Sequence, residues 1–200
     1  MKKILAFMIV LCILCSIPVP ALAAAKKVKT TLDRTNSEKT EYLWTDVKDA
    51  VKESGVSGRF VTFDEVALTF WLPDELKDVL EKEDKDEGYI GIYLSDDGEG
   101  YVDVTYEKSD WDTLEKMRDD LIAEEIDGVE LVTINGLDAL EYMLKDEESD
   151  AFFWCEAFLT DAGNLVTVSV YPLNSDENAQ FLLFTIISSI QPEDALENAA

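Results

Sequence analysis

Apolar and polar residues follow two different periods along this chain, and the two periods separate predicted strands from predicted helices. A period of two, typical of a strand, is clearest in Tyr101–Tyr106, where Asp103 and Thr105 separate the apolar residues. We predict a strand there with one buried face and one wet face, near an edge of its sheet. Asp103 would then point to water.

Turn residues join most of the predicted strands into hairpins. Asn135-Gly136 is the strongest of these signals, because both residues tolerate the positive φ angles that a two-residue hairpin turn requires. Turns that contain glycine join two further pairs of strands. The predicted strands are Arg59–Phe63, Val66–Leu72, Tyr89–Leu94, Tyr101–Tyr106, Val129–Ile134, Leu137–Leu144, Ala151–Thr160 and Leu165–Tyr171.

A period of 3.6 residues predicts the helices. Thr45 is the expected N-cap of the first helix, and Gly55 is expected to end it. Pro73 stops a strand and precedes a short helix. The predicted helices are Thr45–Ser54, Asp74–Leu80, a helix capped by Ser109 or Asp110 that runs to about Glu125, and Asp176–Ser189 with its continuous apolar stripe.

The strand Phe152–Phe158 is apolar on both alternations except at Glu156, so both faces of its sheet must be covered. Helices are the available cover. Cys155 shares an alternate face with Ala157 and is expected to be a buried, inert thiol, with a reactive thiol as the alternative. Together these elements predict an α+β layered sandwich, in which a mostly antiparallel, hairpin-connected sheet is flanked by helices.

The first 23 residues have the pattern of a secretory signal peptide. Lys2-Lys3 precede an apolar run too short to span a bilayer comfortably, and the small residues Ala21 and Ala23 suit a signal peptidase. We predict cleavage after Ala23 and export of the rest, with an uncleaved anchor as the alternative. The predicted segments are the signal peptide (1–23), a flexible polar leader (24–41), one α+β domain (42–191) and a C-terminal tail (192–200).

The charge of the chain restricts its partners. The 200 residues include 43 acidic and 17 basic side chains and no histidine, which gives a formal charge of −26. Loss of Lys2 and Lys3 with the signal makes it −28. Such a polyanion repels phosphates and anionic lipids, so we predict no nucleic-acid partner and no membrane insertion after signal cleavage. Without histidine, the chain lacks the imidazole base of a Ser or Cys triad and the commonest zinc ligand.

Three groups of residues could form a calcium site, a hydrolytic site or a carbohydrate-binding site. The acidic turns Asp84–Gly88 and Asp96–Glu99 resemble calcium loops without matching the EF-hand spacing, and ordinary acidic turns are the alternative. The many carboxylates could include a glycosidase pair, but spacing along the chain singles out none. Five aromatic residues suit either a core or a carbohydrate platform, namely Tyr42, Trp44, Trp71, Trp111 and Trp154. No residue is therefore assigned as catalytic, cofactor-binding or metal-binding.

Three features of the sequence occur in a recognisable order, namely Leu68–Pro73 before a predicted short helix, the hairpins that follow, and Phe184–Ile190 before Gln191-Pro192. In these features the chain resembles the PsbP-like superfamily, which includes bacterial DcrB-like envelope proteins and a eukaryotic Ran-binding nuclear transport factor. The resemblance covers most of Tyr42–Gln191. It implies a small binding or assembly factor, and no functional residue is carried over from it.

The export signal, this resemblance and the lack of a catalytic motif predict a secreted, non-enzymatic binding or assembly domain. Its partner is expected to be another envelope or extracellular protein, bound through an exposed sheet edge or a helix face. Two alternatives stay open. One is a small-molecule or calcium-binding module with a pocket between sheet and helices, and the other is a histidine-free carboxylate hydrolase. No cofactor is expected.

Overall fold

Eight strands form one large sheet at the centre of the fold. The computed structural model describes residues 39–98, 100–146, 152–173 and 177–197. The predicted signal peptide, the leader up to residue 38 and residues 198–200 of the predicted tail lie outside them. The strands are β1 (Thr40–Tyr42), β2 (Gly58–Phe63), β3 (Leu68–Pro73), β4 (Lys77–Asp78), β5 (Tyr89–Leu94), β6 (Tyr101–Lys108), β7 (Asp127–Ile134), β8 (Leu137–Lys145), β9 (Phe152–Leu159), β10 (Asn164–Leu173) and β11 (Gln191–Pro192).

The helices lie between and after these strands. They are α1 (Trp44–Ser54), α2 (Lys82–Asp86), α3 (Leu114–Ala123), α4 (Glu177–Ser188) and α5 (Asp194–Glu197). The large sheet has the order β1-β7-β8-β9-β10-β6-β5-β4, and β11, β3 and β2 form a second sheet. All pairings are antiparallel except that of β1 with β7. The predicted α+β class, with a mostly antiparallel sheet flanked by helices, is confirmed.

The predicted hairpins are present. Between β7 and β8, Asn135 and Gly136 have φ angles of 47° and 83°, as a turn with two left-handed residues requires. The side chain of Asn135 also joins distant segments: its Oδ1 accepts a hydrogen bond from the Trp44 N–H, and its Nδ2 donates to the carbonyls of Ser188 and Ile190. One turn therefore fixes the start of α1 and the end of α4.

The two faces of the large sheet are covered differently. The first face, which carries Val104 and Val168, packs against α4 and the second sheet. The second face, which carries Leu140 and Ala157, packs against the apolar side of α3. The prediction that both faces are covered is confirmed. Helices alone were expected to cover the sheet. On the first face, however, much of the cover is supplied by the strand β3, which is buried along its whole length.

Three local predictions are wrong. Asp74–Leu80 is not a helix, because Lys77 and Asp78 pair with the edge of β5 as β4, and this tertiary pairing overrides a weak helical preference. The cap of α3 is Thr113, whose hydroxyl accepts from the Lys116 N–H. Thr45 does not cap α1, because it lies inside the helix. The residue before the helix is Leu43, whose side chain makes no capping hydrogen bond.

The predicted wet face of β6 is also wrong. β6 pairs with β10 on one side and with β5 on the other. It lies near one edge of the sheet, as predicted, since only β5 and the two-residue β4 lie beyond it. The side chain of Asp103 is fully buried. Within the described part of the chain, no helix is both long enough and apolar enough to cross a bilayer.

Candidate functional site

Four polar or polarisable side chains cross the second face of the sheet in one line. Asp103 on β6 lies opposite Ser169 on β10, Ser169 opposite Cys155 on β9, and Cys155 opposite Tyr142 on β8. All four side chains are buried. We call these residues the polar row. Its position follows from strand register, because residues opposite one another on neighbouring strands point to the same face.

Asp103 is the exceptional member of the polar row. Its side chain is 0% exposed, and neither carboxyl oxygen has a hydrogen-bond partner with good geometry among the described residues. Burial raises the pKa of Asp103 to about 7, although the nearby hydroxyls of Ser169 and Tyr101 lower it in part. No lysine or arginine in the described ranges contributes to this pKa. A buried carboxyl without a fixed donor or a counter-charge is costly to the fold and calls for an explanation.

Three aromatic side chains form a second line beside the polar row. Tyr101 on β6 lies opposite Tyr171 on β10. The Phe153 ring on β9 stands with its centroid 4.6 Å from that of Tyr171 and 6.4 Å from that of Tyr101. All three are partly exposed. We call them the aromatic row, and each is two residues away from a member of the polar row on the same strand.

The surroundings of the aromatic row are acidic. The charge of Asp84 on α2 helps to raise the pKa of Tyr101, after burial and the closer Asp103. The Tyr171 hydroxyl donates a hydrogen bond of 3.4 Å to Oδ2 of Asp146. The aromatic row thus has the carboxylates of Asp84 and Asp146 near it, as well as the buried carboxyl of Asp103. A mainly apolar lining with a few placed polar groups is the usual composition of a ligand site.

A second pair of acids lies on the first face. Glu156 on β9 is directly opposite Glu141 on β8. Oε1 of Glu156 accepts from the Trp154 indole N–H at 2.9 Å, and Oε2 of Glu141 accepts from the Tyr42 hydroxyl at 2.8 Å. Burial raises the pKa of both acids, and the charge of Glu141 raises that of Glu156 further. Each acid of this pair thus accepts a hydrogen bond from a neighbouring side chain, whereas neither oxygen of Asp103 has a donor with good geometry among the described residues.

Cys155 is buried, as predicted. Burial raises the pKa of its thiol, and the charge of Asp103 adds to the effect. The thiol is therefore protonated at neutral pH, which is the state of an unreactive cysteine.

The acidic turns of the sequence have structural roles. Asp84 lies on α2, where its Oδ2 accepts from the Glu81 N–H in a capping box. Asp97 accepts from the Ser95 hydroxyl at 2.6 Å. Glu99 lies outside the described residues. In residues 39–98, 100–146, 152–173 and 177–197, no three His, Cys, Asp or Glu side chains meet in a group that could hold a metal ion.

The five aromatic residues that could have made a carbohydrate platform do not form one surface. Tyr42 and Trp154 both lie at the buried acid pair, where they donate to Glu141 and Glu156. Trp71 is part of the core, and Trp44 packs against Phe60. Trp111 packs with the apolar side of α3 and donates to Asp120 at 2.8 Å. The aromatic row of the candidate site shares none of these residues. The sequence did not reveal it, because its members meet only through the register of three strands.

The described fold is a layered α+β sandwich, and comparison with known proteins adds similarities of backbone only. No protein-family model and no curated protein sequence matches the chain. Among solved structures, it is similar to a cyanobacterial PsbP (CyanoP) from Synechocystis, with 17% identity, a TM-score of 0.48, and coverage of 68% of this chain and 93% of that one.

Two further structures have lower scores. The Ran-binding protein Mog1p of Saccharomyces cerevisiae is 13% identical, with a TM-score of 0.40 and coverage of 70% and 98% of the two chains. A protein from Bacteroides thetaiotaomicron is 14% identical, with a TM-score of 0.42 and coverage of 68% of this chain. The match spans about half (48%) of the length of that protein.

Proposed function

We propose that this chain is an exported, non-enzymatic binding domain whose ligand site is formed by the aromatic row and Asp103. The observation that carries the proposal is the fully buried Asp103 carboxyl, which has no good hydrogen-bond donor and no counter-charge among the described residues. A ligand that supplies the missing partner would remove the cost of that burial. Export rests on the signal-peptide pattern of residues 1–23.

The position of the site on the sheet supports this proposal. On the second face, α3 packs mainly over β7 and β8, whereas Asp103 and Tyr101 lie on β6. The rings of the aromatic row are partly exposed on that side of the face. Aromatic side chains contribute much apolar surface to binding at little cost in conformational entropy.

The fully buried acids among the described residues do not form a hydrolytic pair. Asp103 and Glu156 are the two fully buried acids among the described residues. They lie on opposite faces of the sheet, so they cannot act on one substrate as an acid and base pair. Glu141, the neighbour of Glu156, lies on the first face as well.

Thermal unfolding in the presence of small probes tests the site. The probes are n-butylammonium, n-pentanoate, 1-pentanol, glucose and calcium, each at millimolar concentration with ionic strength held constant. We expect at least one probe to raise the Tm of the parent. The same probe should leave the Tm of Phe153→Ala unchanged. It should raise the Tm of Ile122→Ala, a control at an exposed residue of α3, as much as that of the parent. If no probe acts, or if the effect survives Phe153→Ala, the proposed site is wrong.

A protein partner is the second candidate, and a different observation favours it. β2 has six residues and pairs with β3 alone among the described strands. An unpaired strand edge is a template for an added strand from another chain. This arrangement suits the predicted envelope or extracellular partner.

Photo-crosslinking tests the protein candidate. A benzophenone amino acid at Thr62, which is exposed on β2, is compared with the same amino acid at Lys116, which is exposed on α3. In the producing cell, we expect one defined protein adduct from position 62 and none from position 116. Equal adducts from both positions, or none from position 62, would contradict strand addition at β2.

A further inference from the structure

The unsatisfied atoms of Asp103 restrict the chemistry of a ligand. Neither of its two buried carboxyl oxygens has a donor with good hydrogen-bond geometry among the described residues, although the hydroxyls of Ser169 and Tyr101 lie close by. A neutral donor would satisfy one oxygen and leave the charge unpaired. An ammonium group brings three N–H donors and a positive charge in a compact form, so it satisfies both needs together.

The aromatic row is suited to the same group. The Phe153 and Tyr171 rings stand 4.6 Å apart and inclined at 35°, and the Tyr101 ring meets Phe153 edge to face. Aromatic faces attract cations through their quadrupole, most strongly where water is partly excluded. They also provide apolar surface against which a short carbon chain can pack.

The charge around the site disfavours anionic ligands. Asp84 and Asp146 lie near the Tyr101 and Tyr171 hydroxyls, and the whole chain has a formal charge of −26. This field repels anions and concentrates cations at the surface of the protein. It therefore favours an amine over a carboxylate or a phosphate.

We propose, on the basis of the binding site above, that its ligand is a protonated primary amine, with the ammonium group against the Asp103 carboxylate and the carbon chain against the aromatic row. A quaternary ammonium lacks N–H donors and would leave both Asp103 oxygens unsatisfied. The amine is either a free alkylamine or the lysine side chain of a partner protein. Both present the same group to the site.

Access to the carboxylate requires a movement, because Asp103 is 0% exposed. Tyr101, two residues earlier on the same face of β6, is partly exposed, and its hydroxyl interacts with Asp103. In this proposal the Tyr101 side chain turns away so that the ammonium group reaches Asp103. Rotation of one partly exposed side chain at a sheet surface is a small change of the kind common at binding sites.

Binding is linked to release of a proton. The titratable groups close to Asp103 are Tyr101, Tyr142 and Cys155, and the pKa of each is raised by burial. Among these groups, Asp103 alone changes charge between pH 5.5 and pH 8, since its pKa is raised only to about 7. Because the amine binds the ionised carboxylate, its affinity should increase up to about tenfold per pH unit below 7 and level off above it.

Calorimetry with n-butylammonium chloride tests the proposal on the mature chain at pH 8. We expect saturable binding that is at least tenfold weaker for the neutral 1-pentanol. Asp103→Asn should weaken the binding of n-butylammonium at least tenfold, whereas Asp161→Asn, which removes an exposed charge from the β9–β10 turn, should not alter it. Phe153→Ala is a second test of the site that leaves the buried charge in place, and it should also weaken binding.

The outcomes separate this proposal from the one on which it rests. Equal binding of n-butylammonium to the parent and to Asp103→Asn, or none to the parent, overturns the amine proposal. If n-pentanoate or 1-pentanol still binds and needs Phe153, the binding site stands and its ligand class is wrong. Tighter binding of an N-acetylated, amidated lysine peptide than of n-butylammonium assigns the amine to a partner protein, and the reverse assigns it to a free alkylamine.

Discussion

Glu141 on β8 and Glu156 on β9 are directly opposed at the centre of the sheet, and the Trp154 indole N–H donates to Glu156 at 2.9 Å. Two like charges facing one another in a buried place are unfavourable, so their surroundings favour protonation of the pair. Burial and the charge of Glu141 both raise the pKa of Glu156. The first face of the sheet thus contains an acid whose neutral form is favoured over its charged form.

Glu156→Gln tests this account of the pair. Glutamine keeps an acceptor for Trp154 and cannot ionise. An acid whose pKa is higher in the folded than in the unfolded protein contributes fully to stability below its unfolded-state pKa. That contribution is lost as the pH rises through its folded-state pKa. The variant has no such loss, so its free energy of unfolding should increase relative to that of the parent as the pH rises. In urea denaturation we expect it to be more stable than the parent by about 1–2 kcal/mol at pH 8, with a smaller difference at pH 5. Glu115→Gln, at an exposed position of α3, should show no such trend.

Asp103→Asn should change the pH dependence of stability in the same direction. The pKa of Asp103 rises from 3.8 to about 7 on folding, so its contribution is complete below pH 4 and is lost as pH rises to 7. The parent should lose up to about 4 kcal/mol over this range relative to the variant. Free energies of unfolding measured from pH 4 to pH 8 in the absence of amines give the comparison. Parallel profiles for the two proteins would show that Asp103 is solvated.

Asn135 should matter far more than its place in a two-residue turn suggests. It has a left-handed φ of 47°, and its side chain makes three hydrogen bonds, to Trp44, Ser188 and Ile190. Asn135→Ala loses the bonds and strains the backbone, and we expect a cost of about 3 kcal/mol. Asn135→Gly loses the bonds alone and should cost about 1 kcal/mol less. Equal costs in urea denaturation would mean that the positive φ contributes nothing.

Ile186→Asp tests the packing of α4 on the first face. Ile186 is buried among the apolar residues of that face, and an aspartate there would have no partner for its charge. We expect a loss of several kcal/mol in stability, or a chain that does not fold. Gln180→Asp, at an exposed position of the same helix, places the same charge in water and should cost less than about 1 kcal/mol. A parent-like Tm for Ile186→Asp would contradict this placement of α4.

Local signals predicted much of the fold. Asn135-Gly136 predicted a hairpin, and the helical spacing of Leu114, Met117 and Leu121 predicted the buried side of α3. The second sheet did not follow from the sequence, because it pairs Gln191 with Thr69 from the far end of the chain. Pairing at that separation leaves no local pattern.

The candidate site was hidden for a related reason. Alternation places Tyr101 and Asp103 on one face of β6, but it does not say whether that face meets water. The answer depends on β5 and β10, which enclose β6 on both sides. The register of β9 then brings Phe153 to the same place. A polar residue in a strand is read as exposed until the neighbouring strands are known.

The most direct test of the ligand site is a carbon-detected NMR titration of the labelled mature chain with n-butylammonium at pH 8. We expect saturable shifts of the Asp103 side-chain carboxyl carbon and of the ring signals of Tyr101, Phe153 and Tyr171, with the exposed carboxylate of Asp161 unmoved. Shifts spread over exposed carboxylates, with the Asp103 carboxyl unchanged, would contradict this expectation and reduce the effect to general attraction of cations by an acidic surface.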